Sequence, residues 1–211
     1  KQIIITSTSE VYGSAQTKSI NENHPYNAQS PYAASKVAAD HLSLSYYKSF
    51  GIPVKIVRPF NIYGPRQSAR AIIPTILSQA LKGSEIKLGN LNTTRDLTYV
   101  EDTCNGFYKI FRSSNFFGEV INIGSDNEIT PKQIVKKVEE IKGDKLKIKS
   151  QTIRIRPKKS EVLRLRCNFS KINKKLGWQP KTSFSNGLEK SYQWMNTEEF
   201  QKFYKSKKYI I

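Results

Sequence analysis

Short β-branched runs alternate along this chain with longer stretches whose apolar residues recur at helical spacing, the pattern of strands crossing over through helices. The run Ile3-Ile4-Ile5-Thr6 predicts a buried parallel strand. It ends in a polar cluster, Ser7-Thr8-Ser9-Glu10-Val11-Tyr12-Gly13, of the kind open α/β sheets place at strand C-termini. Ser30 is a good N-cap, Pro31 suits the first helical position and Gly51 is a stop, so a helix is predicted from Pro31 to about Phe50. The next strand is Pro53–Pro59, which opens into a loop, Phe60 to Gln67. An apolar helical stretch follows at Ala71–Leu81, interrupted by Pro74 and closed by Gly83. A short strand is read at Ile86–Leu88. Glu101 and Asp102 complement the dipole at the start of a helix running to about Ser113. A further strand covers Val120–Gly124. Thr130-Pro131 starts a helix to Lys142 with Ile134, Val138 and Ile141 as its apolar stripe. Lys147–Ile153 alternates as a strand, and a last helix is predicted from Phe184 to Met195. The fold class is α/β with a parallel sheet.

Composition narrows this picture. At 211 residues the chain can bury a real core. It has no run of about 18 apolar residues, so no membrane span is expected. Two distant cysteines, Cys104 and Cys167, give neither metal spacing nor a disulfide framework, which suits a reducing cytoplasm. The formal charge of +18 raises nucleic-acid binding as one reading. The lysines, however, are spread over helix faces (Lys132, Lys136, Lys137) and a basic tail (Lys202, Lys205, Lys207, Lys208), with no zinc-finger, RNA-recognition or helix-turn-helix pattern. A solvated basic surface that attracts a diphosphate accounts for the same charge, and no nucleic-acid partner is expected.

Chemistry concentrates at Ser30-Pro31-Tyr32-Ala33-Ala34-Ser35-Lys36. Tyr32 and Lys36 lie one helical turn apart on one face. An ammonium beside a phenol favours the phenolate, a general base for an alcohol proton. Taken alone, the spacing equally describes a half-buried tyrosine beside a solvated lysine. The residues of Phe60-Asn61-Ile62-Tyr63-Gly64-Pro65-Arg66-Gln67 sit where open α/β sheets bind ligands, although an ordinary Gly-Pro turn reads the same way. Arg95 carries the planar fork suited to phosphate, or to a surface ion pair. His24, beside Pro25, reads as a loop-structural histidine, and His41 as packing or surface. The chain contains no internal repeat.

Together, T-S-E-V-Y-G at Thr8–Gly13 and Y-A-A-S-K at Tyr32–Lys36 make the chain resemble the extended short-chain dehydrogenase/reductase family, in its nucleotide-sugar epimerase and dehydratase branch. R-P-F-N-I-Y-G-P-R from Arg58, R-D-L-T-Y-V-E-D from Arg95, R-P-K-K-S-E-V from Arg156 and L-G-W-Q-P from Leu176 extend the likeness over essentially the whole chain, with Trp178 read as structural. The resemblance implies that residues 1–65 end an NAD-binding Rossmann domain and that 66–211 form mainly a smaller α/β substrate domain, with segments free to interleave. The glycine-rich turn of such a domain would precede Lys1, so the chain is read as the C-terminal part of a longer enzyme.

The same resemblance implies the roles. Thr8, Glu10, Tyr32 and Lys36 would be catalytic, and Thr6, Tyr32, Lys36 and Pro59 would hold NAD. Ser9, Asn61, Arg66, Arg95, Arg156 and Glu161 would hold a sugar nucleotide, and no metal is implied. Tyr32 would take the proton of the sugar 4-hydroxyl while hydride passes to NAD, Thr8 would bond the same oxygen, and Glu10 would take the C5 proton as the 6-hydroxyl leaves. The implied activity is a nucleotide-sugar 4,6-dehydratase acting as a homodimer. Ser9 stands where deoxythymidine-diphosphate-glucose enzymes have an aspartate, and the longer motifs are most similar to dehydratases of N-acetylglucosamine nucleotides. A UDP-glucuronate decarboxylase, a UDP-sugar 4-epimerase and a catalytically silent nucleotide-binding module are the alternatives.

Overall fold

The computed structural model describes residues 1–154, 157 and 159–198. In chain order the elements are β1 (Ile3–Thr6), a 3-10 turn (Ser9–Tyr12), α1 (Pro31–Phe50), β2 (Val54–Pro59), β3 (Asn61–Tyr63), α2 (Ile72–Ala80) and β4 (Glu85–Leu88). They continue as β5 (Arg95–Tyr99), α3 (Val100–Arg112), β6 (Glu119–Ile123), β7 (Glu128–Ile129), α4 (Pro131–Lys142) and β8 (Lys147–Ser150). A second 3-10 turn (Thr152–Arg154), α5 (Ser170–Leu176) and α6 (Phe184–Met195) follow. Among the described residues no helix is long and apolar enough to cross a membrane.

The chain divides into two units. The first comprises Lys1–Ile62, Thr94–Glu128 and Pro157–Lys181; the second takes the described residues of 63–93, 129–156 and 182–211. Two stretches beyond residue 65 thus return to the first unit.

The first unit is built on the parallel sheet β1-β2-β6, with Ile3 opposite Val54 and Lys55 opposite Glu119. β2 is buried along its whole length. On one side Val57, Ile121 and Ile123 pack with Ile110 of α3, Ile172 of α5 and Trp178. Trp178 is structural, as expected: its indole N–H donates to the Asp102 carbonyl at 3.2 Å and Phe169 meets it edge-on. A second cluster gathers Val11, Tyr12, Ile20, Phe60, Leu165 and Cys167, with Val37 of α1 against it. A further sheet, order β3-β5-β7, is built around β5. In the second unit α2 packs on β4, α4 and α6, and β4 pairs in parallel with β8.

Several expectations need correction. The run Ile3–Thr6 is a parallel strand but not a buried one: it has one ladder partner among the described residues, and Ile3 is 46% exposed. Pro74 does not interrupt α2. It is the third residue of that helix, where an N–H has no intrahelical acceptor to lose. Asn61–Tyr63 and Arg95–Tyr99, read as loop and motif, are strands. Asp102 does more than meet the helix dipole, because it is buried and accepts from the Lys181 amide at 3.1 Å.

Asp96 of β5 joins three segments of the first unit. Its carboxylate accepts from the Ser125 amide and hydroxyl, both at 2.7 Å, and from the Cys167 amide at 2.9 Å. Burial nevertheless pushes its pKa from 3.8 up to about 6. A carboxyl raised on folding contributes stability that is present below 3.8 and lost as pH rises through about 6. In urea denaturation, the stability difference between the chain and its Asp96→Asn variant should therefore shrink by about 3 kcal/mol across this window. A difference that stays flat would place the Asp96 pKa at its ordinary value.

Candidate active site

Local sequence sets the frame of the site. The Ser30 hydroxyl accepts from the Ala33 amide at 3.1 Å, Pro31 occupies the first turn, and Gly51 ends α1 in the left-handed conformation at φ 66°. Tyr32 thus sits in the first turn of α1, and Lys36 lies one turn further along the same face. The Lys36 ammonium donates to the Thr6 carbonyl at 3.0 Å, tying α1 to the C-terminal end of β1. Tyr32 is 51% exposed, and its hydroxyl makes no hydrogen bond among the described residues. The pair therefore shares a face but not a hydrogen bond.

Beyond β1 the chain turns sharply. Thr8 caps the 3-10 turn, its hydroxyl oxygen accepting from the Glu10 amide at 3.2 Å. Its own proton remains for another acceptor. Ser9 is buried, whereas the half-buried Glu10 carboxylate has no partner among the described residues. Gly13 closes the turn at φ 63°, where a Cβ would stand 2.5 Å from the Asn27 carbonyl oxygen. This turn packs against α1. Thr6, Thr8, Glu10, Tyr32 and Lys36 are thereby gathered where β1 ends.

Pro59 ends the adjacent strand, buried, and Asn61 follows in β3 with its Oδ1 buried and unpartnered. Arg95 donates to the Thr94 carbonyl at 2.9 Å and lies 3.5 Å from the Glu161 carboxylate. Two of the residues expected to hold the sugar nucleotide thus form an ion pair with each other here. Arg66, in the second unit, has a left-handed backbone at φ 64°. Arg156 lies outside the described residues, as does the basic tail from residue 199. His24 has the structural role expected of it, since its Nε2 accepts from the Gln16 amide at 3.1 Å. His41 is exposed against Tyr26. The described residues contain no cluster able to hold a metal.

Three contributors escaped the sequence reading. Gln29 donates to the carbonyls of Lys159 and Glu161 at 3.2 and 3.3 Å and accepts from the Ser14 amide at 3.0 Å. It fastens the Glu161 loop beside the start of α1. Asp40 and Arg58 form an ion pair at 2.7 Å with both side chains fully buried. Only Asp40 carried a local signal, for it continues the Tyr32–Lys36 spacing by one more turn.

A family profile described as GDP-mannose 4,6 dehydratase matches residues 1–191. A dTDP-glucose 4,6-dehydratase of Haemophilus influenzae is 32% identical over 199 residues, covering 89% of this chain and 59% of that protein. One from Actinoplanes is 34% identical over 189 residues, covering 89% and 58%. The chain therefore spans under two thirds of the length of these relatives. Among solved structures, the Bacillus anthracis dTDP-glucose 4,6-dehydratase in complex with NAD superposes with a TM-score of 0.87 at 32% identity, covering 94% of this chain and 63% of that one. The UDP-glucuronic acid 4-epimerase of Bacillus cereus, in complex with UDP-glucuronic acid and NAD, gives 0.86 at 29%, covering 97% and 62%.

The position of Tyr32 depends on the first turn of α1 staying wound. Ser30→Ala should cost about 1 kcal/mol by urea denaturation, whereas Ser30→Asp keeps most of that stability. Equal midpoints for all three proteins would remove the cap from the account.

Proposed function

This chain belongs to the GDP-mannose 4,6 dehydratase family, within the NAD-dependent epimerases and dehydratases, and from that membership we propose that the full gene product is an NAD-dependent nucleotide-sugar 4,6-dehydratase. One observation carries the reading: an exposed tyrosine and a half-buried carboxylate, neither with a side-chain partner among the described residues, flank the end of one parallel strand, with a lysine pinned between helix and strand.

The residues present fit the cofactor. Lys36 keeps ammonium protons beyond the one it donates to Thr6, and Tyr32 is open to a ligand. Thr6, Tyr32, Lys36 and Pro59 would hold NAD. When bound, NAD supplies the acceptor for the hydride leaving C4 and returns it at C6. The chain's residues do the rest. Tyr32 takes the 4-hydroxyl proton, with Lys36 stabilising the phenolate and Thr8 donating to the same oxygen. The resulting 4-ketone acidifies the C5 hydrogen, which Glu10 removes as base. The 6-hydroxyl departs as water with a proton from Glu10 or solvent, and a proton returns to C5.

Ser9 narrows the substrate. A serine is a poor acid, so Glu10 must serve without the aspartate found in deoxythymidine-diphosphate-glucose enzymes. The serine argues against that type of enzyme. The longer runs at residues 7–13 and 59–71, which resemble dehydratases of N-acetylglucosamine nucleotides, favour such a nucleotide. Ser9, Asn61, Arg66, Arg95, Arg156 and Glu161 would hold it. A 4-epimerase is the second reading, favoured by the likeness to the Bacillus cereus enzyme.

Product mass decides among these. The full gene product with NAD should convert an N-acetylglucosamine nucleotide into a product lighter by one water, while glucose, mannose and glucuronate nucleotides react poorly. Unchanged mass with altered retention would make it an epimerase, and loss of carbon dioxide a decarboxylase. Tyr32→Phe and Glu10→Gln should both abolish product, yet only Tyr32→Phe should also prevent the absorbance of reduced cofactor from appearing. Equal absorbance in both variants would overturn the roles.

We further propose that the protein is a homodimer joined through α1. Leu42, Tyr46 and Phe50 recur every fourth residue on that helix and are 61%, 47% and 72% exposed. Light scattering should give a dimer for the native protein and a monomer for Leu42→Glu/Phe50→Glu. A dimer that survives both charges would put the interface elsewhere.

A further inference from the structure

The proposed chemistry needs Tyr32 on α1 and the Thr8–Glu10 turn after β1 to hold a fixed relation, yet no bond links Tyr32 to that turn among the described residues. A buried network behind them supplies the link. Asp40 lies one turn beyond Lys36 on the Tyr32 face of α1. Its Oδ2 accepts from the Ser7 hydroxyl at 2.9 Å, from Arg58 Nε at 3.0 Å and from Arg58 Nη2 at 2.7 Å. Ser7 is bonded in sequence to Thr8. Arg58 is bonded in sequence to Pro59, and its Nη1 donates to the Tyr12 hydroxyl at 2.8 Å. Tyr12 ends the turn that carries Glu10. Nη2 also donates to the Tyr26 hydroxyl at 2.6 Å, and the Tyr12 hydroxyl donates to Asn122 Oδ1 at 2.9 Å.

We propose that Arg58 and Asp40 are positioning residues that set Tyr32 against the Thr8–Glu10 turn for the reaction, a role that rests on the dehydratase reading above. Stability is a poor explanation for the pair. Both side chains are fully buried, and desolvating two charges offsets most of what their attraction returns. A rigid planar fork held at three nitrogens fixes direction as well as distance, which an apolar contact does not. The network also has a single polarity. Burial raises the ionisation of Tyr12 above the usual tyrosine range, so its hydroxyl stays a donor to Asn122 while accepting from Arg58. The Asp40 carboxylate reaches α1, the end of β1 and β2 at once, and Arg58 carries that reference on to the turn.

The test compares Ser7→Ala, Tyr26→Phe and Arg58→Lys in the full gene product, at a temperature where circular dichroism shows each one folded. Turnover is counted per NAD-loaded enzyme. Misplacing a reacting group by about 1 Å costs up to about a hundredfold in rate. Ser7→Ala is therefore expected to lower kcat roughly tenfold and Arg58→Lys roughly a hundredfold, with KM for the sugar nucleotide changed less than about threefold. Ser7→Thr, which keeps the hydroxyl, should recover most of the Ser7→Ala loss. Full kcat per loaded enzyme in Ser7→Ala and Tyr26→Phe, with only a lower unfolding temperature, would overturn the positioning role. Should Arg58→Lys fail to fold, those two milder variants still decide. Tyr32→Phe run alongside separates the premises: turnover surviving in it defeats the dehydratase reading and this inference together, whereas its loss beside an unimpaired Ser7→Ala defeats the inference alone.

Discussion

A guanidinium sealed from solvent in the middle of a parallel sheet is the constraint on which the first unit depends. β2 is buried along its length yet carries two cations, Lys55 and Arg58. Three positions apart on a strand, they point to opposite faces. Arg58 meets the Asp40 carboxylate of α1. Lys55 meets the C-terminal end of α3, donating to the carbonyls of Ile110 and Ser113 beneath the Phe117 ring. Each helix is thus fastened to the central strand by one buried cation on its own face. The two fastenings differ in kind. Lys55 satisfies carbonyls that a helix end leaves open and sits at the negative end of the dipole. Its pKa is lowered by desolvation, because the lysine gains no full counter-charge there. Arg58 keeps its charge beside a carboxylate, and its network continues toward the turn that holds Glu10.

That asymmetry matches what each face has to do. The α3 side is packed with Ile110, Phe116, Ile121 and Trp178, and nothing in it bears on the proposed chemistry. The α1 side presents Tyr32 and Lys36. Apolar packing alone tolerates small slips of a helix along a sheet, since it is not directional. Hydrogen bonds to Thr6, Ser7 and Arg58 fix α1 at three successive points of strand ends.

Local signals made much of this legible in the sequence. The starts of α1, α4 and α6 and the ends of α1 and α4 follow from caps that act within four residues: Ser30 with Pro31, the Thr130–Gln133 capping box, Ser183, and the glycines 51 and 143 in left-handed conformation. Tyr32 and Lys36 were legible through helical spacing. What escaped depends on partners far along the chain. β5 reads as a charged motif because Asp96 is satisfied by Ser125 and Cys167, and no periodicity reveals that. Arg58 looks like an ordinary strand-end arginine until α1 brings Asp40 beneath it. The exposed edge of β1 was missed for the complementary reason, since an apolar run reports what could be buried and not what is available to bury it.

The distribution of unmet hydrogen-bonding capacity adds a physical criterion for where a ligand belongs. Arg58, Tyr12, Asn122 and Ser7 are engaged by neighbours, as buried polar groups generally are. Around the strand ends the opposite holds. The Tyr32 hydroxyl and the Glu10 carboxylate have no partner among the described residues, and Asn61 Oδ1 is buried without one. Leaving a buried acceptor unmet costs about 1–3 kcal/mol, and a fold that sets Arg58 donors on Asp40 Oδ2, Tyr12 and Tyr26 a few residues away is not short of donors. The Asp40 Oδ1 atom is also unmet, but its carboxylate already receives three bonds through Oδ2. Asn61 has no such compensation. A group from outside the chain that donates to Asn61 would relieve a cost the folded chain otherwise bears, and part of its binding energy would come from that relief.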